Sequence, residues 1–138
     1  MKLMSEQAMV DFLPPEPEML ELAFAKFQKV IDAGKISSNW LRFAVAVGFL
    51  LVKQVNFQGQ PAFMVWFNVG PEKRLMIDTV QSLQDRPQTE WIFEGVDLLA
   101  RNLGCTIIDF QTRRRGLVLQ AQSHGYEVTR VMLSKFLR

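Results

Sequence analysis

Apolar positions along the chain change period several times, and each change marks an element. Leu20, Ala23, Phe24, Phe27 and Ile31 recur at helical spacing, which predicts an amphipathic helix opening at Pro17 and closing at Gly34. Trp40, Leu41, Ala44 and Val45 extend a second, shorter helix that Ser37 or Ser38 can cap and that breaks at Gly48. From Phe49 the pattern becomes apolar, then alternating. Phe49 to Phe57, Ala62 to Asn68 and Leu75 to Val80 read as three strands, joined by Gln58-Gly59-Gln60 and by Gly70-Pro71-Glu72-Lys73. Ser82 to Gln88 is polar and holds Pro87, so it reads as a loop.

The stretch from Thr89 to Tyr126 organises the rest. Thr89 caps a helix with Glu90 in its first turn, and Ile92, Val96, Leu99 and Leu103 form one apolar stripe. Gly104 is placed to end that helix in a left-handed conformation. Cys105 to Phe110 is a short, mostly apolar run that predicts a buried strand. Gln111-Thr112 then turns into a helix that Gly125 ends, and Glu127 to Leu137 alternates as a further strand.

Two helices, an antiparallel meander, then helix, strand, helix and strand imply an α/β fold with a mixed sheet and helices on both faces. Residues 1–138 are expected to form a single domain, with 1–16 a candidate N-terminal arm. Within that arm Met9 to Leu13 is either a short first strand or a segment lying on a neighbour, and Pro14, Pro15 and Pro17 stop any helix arriving from its side.

Composition narrows the function classes. Hydrophobic residues make up 49 % and the net charge is only +2, so a globular domain is expected and nucleic acid is not the expected partner. The single Cys105 excludes an internal disulfide and reads as a small buried hydrophobe. His124 is the one histidine, without a cysteine pair or a second histidine at ligand spacing, so no metal site is expected. The longest uncharged run, Phe43 to Val52, falls short of the roughly 20 residues a membrane span needs. Met1 to Leu13 lacks a signal-peptide pattern, and a cytoplasmic location is expected.

The order of elements resembles the GNAT fold of acetyl-CoA-dependent N-acetyltransferases, most closely from Ala62 onward. Leu98-Leu99-Ala100-Arg101-Asn102-Leu103-Gly104-Cys105 is similar to the family's helix ending before its fifth strand, and Gln122-Ser123-His124-Gly125-Tyr126-Glu127 to its glycine–aromatic turn. The resemblance implies acetyl-CoA as co-substrate, with its diphosphate cradled by a glycine-rich loop after the fourth strand. Gln84-Asp85-Arg86-Pro87-Gln88-Thr89 stands there instead, with no glycine, one acid and one proline. Ala121 stands where the family often carries a tyrosine acid, and Arg113-Arg114-Arg115 where an asparagine is common.

Two function classes follow. One is a non-catalytic structural or interaction subunit that binds no cofactor, similar to small phage-encoded GNAT-like proteins, with other subunits of a short-tailed virion or further copies of itself as partners. The other is an N-acetyltransferase with an atypical loop. In it Arg86, Gln88, Thr89 and Arg113, Arg114 and Arg115 contact phosphate and Asp78 is the candidate base. A plainer reading of Asp78 is a charge on the solvent side of a strand; the arginine run equally reads as a solvated turn. The enzyme reading predicts that the strands containing Asp78 and Asp109 splay apart, wide enough for a pantetheine arm. Nucleic-acid contact by the arginines, a weaker third reading, predicts steep salt dependence.

Overall fold

The computed structural model describes residues 9–28, 38–86, 89–112, 115–130, 133–135 and 137. The described elements run β1 (Val10–Leu13), α1 (Pro17–Gln28), α2 (Ser38–Ala46), β2 (Leu51–Phe57), β3 (Gln60–Gly70), β4 (Arg74–Ser82), α3 (Thr89–Asn102), β5 (Ile107–Phe110) and α4 (Arg115–Ser123). One sheet takes all five strands in chain order. The first four pair antiparallel, and β5 lies parallel to β4.

The α/β expectation is met, with helices on both faces. On one face Val96, Leu99 and Ala100 of α3 pack on Val55, Phe63, Val65, Phe67 and Leu75. On the other, Ala23 and Phe24 of α1 and Leu41 and Ala44 of α2 pack on Met64 and Trp66. Alternation along β3 sends its neighbours to opposite cores, so one strand feeds both. Each buried Val, Leu, Phe or Met among them stabilises the fold by about 1.5–3 kcal/mol, the alanines by less.

Gly95 marks the closest approach of α3 to the sheet. A Cβ there would meet Phe63 Cε1 at 2.7 Å and Phe57 Cε2 at 3.1 Å. Phe57 also stacks on Trp91 with centroids 5.1 Å apart, so two aromatic strand residues fix where the helix lies. On the opposite face the buried Gln54 side chain accepts the Glu16 N–H at 3.0 Å and donates to Asn56 Oδ1 at 3.0 Å. That knot anchors the entry into α1.

The tight turn after β2 has φ of +53° at Gln58 and +76° at Gly59, the pair of left-handed residues that suits a two-residue hairpin. α3 ends as its sequence predicts: Gly104 at φ +73° lets the Cys105 N–H reach the Ala100 carbonyl at 2.8 Å.

Some expectations are corrected. The strand expected over Glu127 to Leu137 is absent among the described residues there, and Val128, Leu133 and Leu137 are exposed. Alternation supplies two faces, but a strand also needs a neighbouring edge to bond with. Met9 to Leu13, left open above, contains a true strand: Val10 to Leu13 pairs with Phe57 to Gln54. β2 starts at Leu51, because the chain leaving α2 is still bonding to it: the Phe49 and Leu50 N–H groups both go to the Ala44 carbonyl. Ile31 and Gly34, the predicted end of α1, lie outside the described residues.

Candidate functional site

The site expected from the sequence lies where β4 leaves β5. Trp66 on β3 faces Thr79 while the next residue, Phe67, faces Ile77, so Asp78 is an extra residue in β4, a β-bulge. The bulge shifts the strand's alternation by one. Leu75 and Ile77 point to the α3 core before it, and Val80 after it. Pairing with β5 spans Arg74 to Ile77 against Ile107 to Phe110 and goes no further, although β4 continues to Ser82. The ladder thus ends with β5 itself, at the Ile77–Phe110 pair, one residue before the bulge.

The approach to the parting is firmly built. Arg74 Nη1 lies 2.6 Å from Asp109 Oδ2, and the Lys73 carbonyl accepts the N–H groups of Thr106 at 2.8 Å and Ile107 at 3.3 Å. Beyond the parting, side-chain rings replace the ladder. Phe110, the last residue of β5, meets Tyr126 edge to face at 5.2 Å, and Tyr126 lies 5.8 Å from Phe93 of α3. Phe93 stacks on the His124 ring at 4.4 Å, and His124 Nε2 reaches the Glu90 carboxylate at 3.0 Å. A continuous chain of contacts thus runs from the end of β5 to the first turn of α3.

Burial raises the Tyr126 phenol to about 12, with the Asp97 charge adding to the effect. The Asp97 carboxyl is also raised, by burial first, with Arg101 and His124 opposing the shift. At neutral pH Tyr126 therefore keeps its proton.

The loop that follows β4 turns its polar groups inward. The Leu83 N–H goes to the Ala62 carbonyl at 2.8 Å and the Gln84 N–H to Ser82 Oγ at 3.1 Å. The Gln84 side chain donates to the Pro61 carbonyl, and Lys26 Nζ donates to the Gln84 carbonyl at 2.8 Å. The main-chain N–H groups of Leu83 and Gln84 are thus both committed within the fold.

Of the predicted site residues, Asp78 is exposed at the bulge, its carboxylate accepting the Thr79 hydroxyl at 2.9 Å. Arg86 is exposed in the loop, and Thr89 opens α3. Gln88, Arg113 and Arg114 lie outside the described residues, and Arg115 is the first residue of α4. No hydrogen bond or ion pair joins any two of the predicted site residues among the described ones. Ala121, where a tyrosine acid would sit, is buried. Glu90, Phe93, Asp97 and Tyr126 were not singled out from sequence as site residues. The available signal was that the only histidine and the only tyrosine flank the helix-ending Gly125.

Cys105 is buried, as expected. No group of three metal-ligating side chains comes together among the described residues, nor is any helix there long and apolar enough to cross a membrane.

No family model matches the sequence, and no curated protein matches it. Solved structures do match the fold. A possible acetyltransferase from Clostridium difficile 630 superposes with a TM-score of 0.55 at 10 % identity, covering 94 % of this chain and 99 % of that one. The aminoglycoside acetyltransferase AAC(6')-Iy, in complex with a bisubstrate analogue of CoA, gives 0.58 at 14 % identity, covering 94 % and 98 %. A predicted acetyltransferase from Clostridium acetobutylicum with acetyl-CoA gives 0.53 at 13 % identity, covering 93 % and 96 %. The chain has the fold of these acetyltransferases, the GNAT fold.

Proposed function

We propose that the chain is an acetyl-CoA-dependent N-acetyltransferase with an atypical phosphate loop. The observation that carries this reading is that the β4–β5 ladder ends at Ile77 and Phe110 while β4 runs on to Ser82 past the bulge at Asp78, so that β4 outlasts its parallel partner there. The structural neighbours support it: one is an aminoglycoside acetyltransferase with a CoA bisubstrate analogue, one a predicted acetyltransferase with acetyl-CoA and one a possible acetyltransferase.

The β4 edge beyond Ile77, not paired with β5, offers main-chain donors and acceptors to an extended amide-bearing arm such as pantetheine. The inward-turned Leu83 and Gln84 do not fit the diphosphate, so its contacts fall to Arg86, Gln88, Thr89 and the Arg113–Arg115 run. Asp78, exposed and within reach of solvent, takes a proton from the acceptor amine directly or through water.

A second reading rests on the same loop. With Leu83 and Gln84 committed and Ala121 buried where a proton donor would stand, the domain serves as a non-catalytic subunit that binds other protein chains, as in a phage virion. Titration calorimetry of the full chain with acetyl-CoA separates the two. Micromolar binding, weakened at least tenfold by Arg86→Ala, is expected of the enzyme. The absence of heat and of any thermal shift at millimolar acetyl-CoA would retire the enzyme reading in favour of the subunit.

A further inference from the structure

We propose that Glu127 to Leu137 is an exchange arm, which in a dimer adds a strand to the free edge of β5 in a second copy of this chain. Three features meet at that edge. β5 ends the sheet, so among the described residues its outer main-chain groups have no strand to bond with. Beside it a cavity of about 200 Å³ opens between α3 and the strand, lined by Asp97, Ala100 and Arg101 of the helix and by Cys105, Thr106 and Ile108. The third feature is the arm, an alternating stretch with no strand among its described residues. Val128 falls on one face of an extended chain and Leu133 and Leu137 on the other, and they stand 59, 90 and 85 % exposed. An exposed leucine alone is ordinary; a strand pattern that is apolar on both faces and has no neighbour is not.

Arm and edge match face to face. A strand laid outside β5 turns alternate side chains toward α3, where β5 itself points Ile108. Leu133 and Leu137 share a face of the arm, so both turn that way together. Ala100, Cys105 and Ile108 then give the cavity apolar walls to receive a leucine.

The occupant is the arm of a second copy and not the chain's own. Tyr126, where the arm leaves, is turned back to α4 by its N–H bond to the Ala121 carbonyl at 3.1 Å, with its ring against Phe93 and Phe110. No described residue after it pairs with β5, although Phe110 ends that strand beside it. Donor and acceptor thus lie side by side in one chain without meeting, and a two-fold axis there supplies each with the other copy's counterpart. Length agrees. Eleven residues extended span roughly 36 Å, whereas the four of β5 span about 13 Å. The part that overhangs β5 runs beside the other arm, so the two sheets join into one with no free β5 edge. Arm, β5 and cavity wall bring roughly 20 residues a side into contact, the number in a standard specific interface.

Sedimentation velocity of the full chain, from micromolar to hundreds of micromolar, should show a concentration-dependent dimer. Leu133→Glu, at a side chain that the single chain leaves bare, should weaken it at least about tenfold with the fold intact. Leu119→Glu, at a residue 65 % exposed on α4, should leave it unchanged. In a mixture of isotope-labelled and unlabelled chains, NMR contacts from the Leu133 or Leu137 methyl groups of one copy to Ile108 of the partner subunit should appear. A chain monomeric throughout, or a Leu133→Glu variant that dimerises like the parent, would overturn the exchange. So would a dimer in which the Leu133 and Leu137 methyls approach Ile108 only within one chain, or not at all.

Discussion

Where β4 and β5 begin their pairing, backbone bonds run unbroken from Arg74 to Ile77, whereas β4 from Asp78 to Ser82 has no partner on the β5 side. The paired end is braced by the ladder, by the Arg74–Asp109 ion pair and by the Lys73 carbonyl that receives two N–H groups from the start of β5. The parted end is braced by rings: Phe110 on Tyr126, Tyr126 on Phe93, Phe93 on His124. Ring contacts do not use the strand edges, so the β4 edge beyond Ile77 stays unpaired with β5 while that end is still held. A site between two strands needs that division of labour.

The largest test of the contrast removes the ring that the parted end shares with α3. Phe93 is buried and touches both His124 and Tyr126, so Phe93→Ala should cost about 3–5 kcal/mol, the range for deleting a buried aromatic. Chemical denaturation measures the loss. Amide exchange should show it first at Phe110 and in the opening turns of α3, with Arg74 to Ile77 still protected. Equal loss of protection at both ends would mean that the pair is one cooperative unit and the division of labour is false.

What could be read from residues alone follows the same line. The α3 stripe of Ile92, Val96 and Leu99, its stop at Gly104 and the hairpin at Gln58-Gly59 are local patterns that stand in the structure, while Leu103, the fourth member of the expected stripe, lies past the helix end and is exposed. A splay of β4 from β5 was expected only through resemblance to a known fold. The bulge at Asp78 left no trace, because Leu75, Ile77 and either Thr79 or Val80 satisfy alternation with or without an extra residue. The ring chain joins Glu90, Phe93, Phe110 and Tyr126 across the fold, and no period in the sequence connects such positions. The strand expected after Gly125 failed for the opposite reason: its pattern is present, but pairing with an edge is a property of the neighbour.

A smaller effect reads the parted end through its own proton. Tyr126 is the only tyrosine, so tyrosinate absorbance reports this one site. Its folded value of about 12 lies above the ordinary 10.0, so the folded chain holds the proton more tightly than the unfolded chain does. The stability this contributes is complete below pH 10.0 and is lost as pH rises through about 12. Spectrophotometric titration should therefore give a midpoint near 12 in the folded chain, coinciding with alkaline loosening of the ring chain. Tyr126→Phe should flatten the fall in stability over that window. A midpoint at 10.0 would place the phenol in water and detach it from Phe93 and Phe110.

The smallest effect belongs to the paired end, and its smallness is the point. Arg74 and Asp109 form a close ion pair, yet their side chains keep 32 % and 39 % of their surface exposed. Exposed pairs gain little over the same charges in water, because solvent screens them and holding two side chains together costs entropy. Arg74→Ala should therefore shift the denaturation midpoint no more than an ordinary surface substitution does. Backbone bonds through Lys73 and the four paired registers would carry on holding that end. If the variant instead loses stability on the scale of Phe93→Ala, the ion pair and not the ladder closes the strands, and the two ends are held alike, by side chains.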